Sequence, residues 1–126
     1  MRFETDAFQK FSFTKEQICN LSEGALRDLQ IARESEIPEI RFKFLYDSLI
    51  KIGMHCIAQE GYRARSTTGH HIHILEKMSV LMKNEDIAII GNVIRQKRNK
   101  DLYEGIFTIA DKEIKEYLAF VASVST

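Results

Sequence analysis

The sequence predicts an all-α protein, an antiparallel up-and-down bundle of four to five helices with short connections. Two observations carry that reading. Apolar residues recur three and four apart along most of the 126 residues, which is the period of helices that each bury one face. The single proline, the six scattered glycines and the near absence of alternating apolar and polar runs disfavour a sheet, whose strands and turns need other chemistry.

The first dozen residues hold Phe3, Phe8 and Phe11, with Phe13 just after. They are too apolar for a solvated tail, so residues 1–13 are expected to pack on the bundle or on a partner. Thr14 followed by Gln17 is a capping-box pattern, with Phe13 and Ile18 placed as a hydrophobic staple around it. A first helix therefore starts near Lys15, and its apolar line is Ile18, Leu21, Ala25, Leu29 and Ala32. The line fades into Glu34-Ser35-Glu36, and Pro38 opens a second helix, since a first turn tolerates proline.

That second helix runs to Glu60, where Gly61 ends it. Its apolar face is broad, with Ile40, Phe44, Leu45, Leu49, Ile52, Cys56 and Ile57, and such width predicts more than one neighbour. Residues Tyr62-Arg63-Ala64-Arg65-Ser66-Thr67-Thr68-Gly69 show no periodicity and read as the longest loop. A third helix follows from His70 to Met82, burying Ile72, Leu75, Met78 or Ser79, and Met82. Asn84 caps the fourth helix. Thr108 with Asp111 suggests the cap of a fifth, which carries Ile109, Ile114, Tyr117, Leu118 and Val121. There is no internal repeat or low-complexity tract, and residues 1–126 read as one domain.

Composition narrows the class further. With 44% hydrophobic and 29% charged residues, the chain matches an ordinary soluble domain. A compact fold of this size removes roughly two thirds of the unfolded chain's surface, so a core forms without metal or disulfide staples. Cys19 and Cys56 lie far apart among apolar residues and are expected to act as small hydrophobes in a reducing compartment. The opening Met1-Arg2-Phe3-Glu4-Thr5-Asp6 lacks a signal peptide's apolar stretch, and no apolar run approaches the ~20 residues that span a bilayer. The expectation is a cytoplasmic chain with no membrane segment.

Eighteen basic and eighteen acidic residues cancel, which argues against a wholesale electrostatic nucleic-acid binder. The mean hides an asymmetry. Tyr62 to Lys100 holds eight Lys or Arg against three acids, while the rest holds ten against fifteen. One part of the chain is fitted to attract anions.

The fourth helix carries the sharpest anomaly. Its buried line by spacing is Ile87, Ile90, Ile94, then Arg98, then Leu102, so an arginine occupies a core position. A buried guanidinium needs a carboxylate, backbone carbonyls or a ligand anion, unless it snorkels to water. The first alternative is a structural ion pair, and the second is a phosphate clamp, for which the planar fork of arginine is well suited. Arg98 belongs to the run Arg95-Gln96-Lys97-Arg98-Asn99-Lys100, followed by Asp101-Leu102-Tyr103. Arg95, Asn99 and Tyr103 fall four apart beside Arg98, so two arginines, an amide and a phenol converge where a phosphodiester would fit. A solvated helical face has the same look in sequence.

Several standard chemistries are absent, among them a phosphate-binding Gly-x-x-x-x-Gly-Lys loop, a nucleophile elbow, Cys-x-x-Cys and His-Glu-x-x-His. His70, His71 and His73 form a cluster in which His70 and His73 share a helical face. The only further ligand at helix spacing is Glu76, with Lys77 as a competing charge beside it, so no metal and no cofactor is expected.

Arg98-Asn99-Lys100-Asp101-Leu102-Tyr103, in the fourth helix of an all-helical chain of this length, resembles the motif of HEPN domains. That family's motif is an arginine, often followed by asparagine, then a few residues and a histidine. Tyr103 stands at the histidine position, as in a small bacterial branch whose motif reads R-N-x-x-x-Y. Tyr62-Arg63-Ala64-Arg65 and Gly69-His70-His71 also resemble that branch, and the resemblance extends from Leu26 to Ala122.

The resemblance implies a bundle that dimerises and brings two arginine motifs together in one cleft, which in active members cuts RNA without a metal. Arginine stabilises the phosphorane charge and histidine moves protons. Many members are toxins neutralised by a nucleotidyltransferase partner, and others are inactive helpers. Carried over, it makes Arg98, Asn99 and Tyr103 the catalytic candidates. Arg95, Lys97, Lys100, Arg63, Arg65, His70 and His71 become the candidates for binding RNA or a nucleotide through phosphate. A phenol with an ordinary pKa of about 10 is a poor base, so His70 or His71 is expected to supply the proton transfer that Tyr103 lacks. The alternative is a non-catalytic helical interaction module that partners a nucleotidyltransferase through its aromatic N-terminus and apolar faces.

Overall fold

The computed structural model describes residues 2–125; Met1 and Thr126, the ends of the expected domain, lie outside the described residues. The elements are β1 (Phe8–Lys10), α1 (Lys15–Glu34), α2 (Pro38–Gln59), β2 (Tyr62–Ala64), α3 (His70–Leu81), α4 (Glu85–Glu104) and α5 (Asp111–Val124). This is the all-α bundle that the apolar period predicts. Among the described residues no helix is long and apolar enough to cross a membrane.

The capping box at the start of α1 is formed, with the Gln17 amide donating to Thr14 Oγ1 at 3.1 Å and the Thr14 amide donating to Gln17 Oε1 at 2.9 Å. Helices α1 and α2 lie antiparallel. Near their connection Arg41 Nε donates to the Ala32 carbonyl at 3.2 Å, and at the far end His55 Nδ1 donates to the Ile18 carbonyl at 3.1 Å. Between these, Ser48 Oγ donates to the Ala25 carbonyl at 2.7 Å. Lys51 Nζ stands 2.6 Å from the carboxylate of buried Asp28, a charge that would be costly to bury alone.

The breadth expected of α2 is real, since it packs on each of the other helices. Its composition differs from the expectation. Phe42 and Tyr46 are buried together with Leu45, Leu49 and Ile57, whereas Ile40, Phe44 and Cys56 are half-buried.

The chain then turns at Gly61, whose φ of 82° favours glycine, and runs back as β2. The segment expected to be loop from Tyr62 thus contains a strand, paired antiparallel with β1 in the register Phe8↔Ala64, Gln9↔Arg63 and Lys10↔Tyr62. Three-residue strands are too short for an alternating pattern to register in sequence. This return brings α3 in beside the middle of α2, with His71 against Tyr46 and Ile74 against Gly53.

Helix α3 is held close between two bare helix surfaces. A Cβ on Gly53 would lie 2.6 Å from Ile74 Cγ2, and one on Gly91 of α4 would lie 2.9 Å from Leu75 Cδ2. Ile74, Leu75, Met78 and Ser79 are buried, while the expected Ile72 and Met82 are half-buried.

The aromatic N-terminus packs on its own bundle. Phe8 is buried, and Phe3 stacks on Tyr62 with ring centroids 4.1 Å apart. Beneath them lies buried Lys77, whose Nζ donates to the Arg2 carbonyl and sits 4.8 Å from the Phe3 ring centroid.

Two helix starts differ in outcome. Asn84 caps α4, accepting from the Asp86 amide at 3.1 Å. Thr108 does not cap α5. The chain stays extended past it to bury Ile109, and Ala110 holds the cap position, with its amide donating to Glu113 Oε1 at 3.2 Å. Cys19 corrects another expectation, because it is exposed on the outer side of α1.

Candidate functional site

Arg98 is not a core residue. Ile87 and Ile94 are buried, but Arg98 is only half-buried and Leu102 is exposed. The apolar period of α4 therefore outlasts its packing. The buried positions of α4 end at Ile94, and the following turns form a wall open to solvent.

That wall faces a cleft of 610 Å³. Arg95, Arg98, Asn99 and Tyr103 line it from α4, His70 and His71 from the first turn of α3, Thr67, Thr68 and Gly69 from the preceding turn, and Tyr46 and Asp47 from α2. Gly69, at φ 77°, lets the chain enter α3 in a left-handed conformation, and no side chain caps that helix. The His70 and Ile72 amides of this first turn are taken by the Thr67 and Gly69 carbonyls at 3.1 and 3.0 Å, so what α3 brings toward the α4 arginines is its positive dipole end.

The donors differ in how they are held. Arg95 is oriented by Asn92, whose Oδ1 accepts from Nε at 3.0 Å and from Nη2 at 2.9 Å, leaving other guanidinium hydrogens for a ligand. The side chains of Arg98 and Asn99 make no hydrogen bond or ion pair with any described residue. Among the described residues one carboxylate lines the cleft, that of Asp47, and it is paired with Lys43 at 3.0 Å. Anion binding would satisfy donors that the fold leaves open.

The two histidines are also distinct. His70 Nδ1 donates to the Thr67 carbonyl at 3.1 Å, because a carbonyl only accepts. In the neutral ring Nε2 then keeps its lone pair. His71 Nδ1 shares a hydrogen bond of 2.7 Å with Tyr46 Oη. Burial, then the neighbouring His70, hold His71 below the ordinary histidine range, and burial pushes the Tyr46 phenol well above its usual value.

Four of the expected phosphate ligands stand elsewhere. Arg63 lies with its guanidinium carbon 4.2 Å from the Phe11 ring centroid and donates from Nε to Gln9 Oε1 at 3.2 Å. Arg65 Nε donates to the Thr5 carbonyl at 2.9 Å. Both arginines therefore tie down the N-terminal segment. Lys97, one position and about 100° around the helix from Arg98, pairs with Glu113 of α5. That carboxylate holds the Lys97 pKa up and is itself held down by the lysine. Lys100 is exposed and lies off the cleft.

His73 does not join His70. It faces Phe8, with ring centroids 6.5 Å apart, in a separate cavity on the N-terminal side. Among the described residues no group of three or more His, Cys, Asp or Glu gathers in metal-binding geometry.

Tyr46, Asp47, Asn92 and Thr67 complete the site and were not singled out by their sequence. Tyr46 sits in a broad apolar stretch and Asn92 in an isoleucine-rich one, so only their three-dimensional partners give them a role. Comparison with protein families, with characterised proteins and with solved structures finds none that matches this chain.

Proposed function

We propose that the cleft between α3 and α4 binds the phosphodiester backbone of RNA, with Arg98, Asn99 and Arg95 as its anion ligands. One observation carries this reading: the open side chains of Arg98 and Asn99 share a wall with the Asn92-oriented Arg95, in the same cleft as the positive dipole end of α3. Arginine forks and helix N-termini are the two protein features best suited to phosphate oxygens.

His70 is the group placed for proton transfer. Its Nε2 takes the proton of the attacking 2′-hydroxyl as that oxygen bonds to phosphorus. Arg98 offsets the growing phosphorane charge, and the departing 5′-oxygen receives a proton from the imidazolium or from water. Tyr103 is 78% exposed at the rim, which suits contact with sugar or phosphate better than work as a base. This assignment agrees with the HEPN-like motif while moving the proton-transfer role from the motif's last residue to the start of α3.

The protein acts as a homodimer in this reading. Leu102 is exposed at the cleft and Ile106 is exposed just past the end of α4, and a second copy would cover these two side chains while setting two clefts side by side. The aromatic N-terminus is already engaged by its own bundle, so a nucleotidyltransferase partner would have to use the remaining exposed apolar faces.

The test is cleavage and binding of labelled single-stranded RNA by EDTA-treated protein, with Arg98→Ala and His70→Ala run beside wild type. The expected result is metal-independent cleavage by wild type that both substitutions abolish, with binding lost only in Arg98→Ala. Wild-type binding without cleavage would remove the proton-transfer role of His70 and leave a binding module. Absence of binding would overturn the proposal.

A further inference from the structure

His70 and His71 line two cavities at once. On one side is the cleft just described; on the other is a groove of 450 Å³ formed by Phe11, Phe13, Met54 and Arg63. The two histidines are therefore the partition between a polar site and a mostly apolar one.

The groove has the features of a surface for a flat aromatic ring. Phe11 and Phe13 meet edge to face with centroids 4.5 Å apart, and the Arg63 guanidinium lies over the Phe11 ring. Met54 is 40% exposed although it sits on the central helix, and a thioether there is an adaptable contact for a π system. Arg63 keeps guanidinium hydrogens beyond the one given to Gln9, which suits an electron-rich ring edge or an adjoining phosphate. The groove is thus apolar on its floor and cationic at its edge, and it abuts the proposed phosphate site through two shared residues.

We infer that this groove is a nucleobase subsite, which takes a base of the same RNA strand whose phosphate lies against Arg98. The inference rests on the phosphodiester reading of the cleft and adds to it the part of the substrate that is not charged. It gives the aromatic N-terminal segment a second role, as one wall of the substrate site. Aromatic platforms beside a cationic track are the general solution for holding single-stranded nucleic acid without dependence on sequence.

The experiment compares two labelled oligoribonucleotides of equal length and charge, one with bases and one with abasic riboses, by fluorescence anisotropy. The same pair is then added to protein carrying methyl-labelled methionine, with the Met54 methyl resonance followed by NMR. The expected result is that the abasic strand still binds in an Arg98-dependent manner but about tenfold more weakly, the size of one base stack. The Met54 methyl should move with the base-bearing strand alone, while the methyl of buried Met78 stays in place. Phe13→Leu, which keeps the groove apolar but removes the ring, should weaken the base-bearing strand and leave the abasic one unchanged. Equal affinity of the two strands with an unmoved Met54 methyl would overturn the base subsite and leave the phosphate reading standing. Failure of both strands to bind would overturn both.

Discussion

Tyr46 Oη and His71 Nδ1 stand 2.7 Å apart where α2 meets the first turn of α3, and this bond fixes the inner edge of the cleft. Neither group is charged near neutral pH, since burial raises the phenol's pKa and lowers the imidazole's. The pair sets His71 as a neutral wall of the cleft.

A pH dependence of stability follows from that pair. His71 binds its proton less tightly in the folded chain than in the unfolded one, with Asp47 opposing the shift. Below the ordinary histidine value of about 6.5 the unfolded chain therefore carries more protons, and stability falls as pH drops through the window down to the lowered folded value. Below that value this contribution levels off. Urea unfolding at about pH 7.5 and about pH 5 should show a smaller loss for His71→Phe than for wild type. An identical loss would mean that His71 does not contribute.

The close fit of α3 predicts opposite outcomes for two glycine substitutions. Gly53→Ala forces a Cβ to within 2.6 Å of buried Ile74, whereas Gly24→Ala meets nothing nearer than Lys51 Cδ at 3.5 Å. Overpacking costs about 1–3 kcal/mol and the gain in helix propensity offsets about 1 kcal/mol. Gly53→Ala should therefore lower Tm, and Gly24→Ala should raise it. A rise for both would show that α3 can move away without cost.

Lys77 and Phe8 test the packing of the N-terminal segment. Phe8→Ala should cost about 3–5 kcal/mol, as expected for a buried ring. Lys77→Met should be nearly neutral, because a buried charge gives up its desolvation cost along with its partners. Thermal melts of the two variants check the order. An unchanged Tm for Phe8→Ala would place residues before Thr14 outside the core.

Much of this architecture was legible in sequence because it rests on local rules. The capping box at Thr14 and Gln17, Pro38 in a first turn, and Asn84 as a cap are each set by residues within a turn of one another. The sheet escaped notice because β1 and β2 are three residues each and lie more than fifty positions apart. Arg98 was singled out for an incorrect reason. Spacing places it in the core, yet the buried positions of α4 end at Ile94, and the arginine is half-buried at the cleft wall. The convergence of Arg95, Arg98, Asn99 and Tyr103 followed from helical geometry alone. The dispersal of Arg63, Arg65 and Lys97 did not, because their partners Phe11, Gln9, Thr5 and Glu113 belong to other elements.

The Arg98 side chain makes no hydrogen bond or ion pair with any other described residue, which separates binding from stability. The most direct measurement is a fluorescence anisotropy titration of labelled single-stranded RNA against wild type and Arg98→Ala at several salt concentrations, with a melt of each protein. Arg98→Ala is expected to bind at least about tenfold more weakly, with a salt dependence reduced by about one phosphate contact, and with a Tm that matches wild type. Equal binding by the two proteins, or a variant that loses binding only because it unfolds, would contradict it.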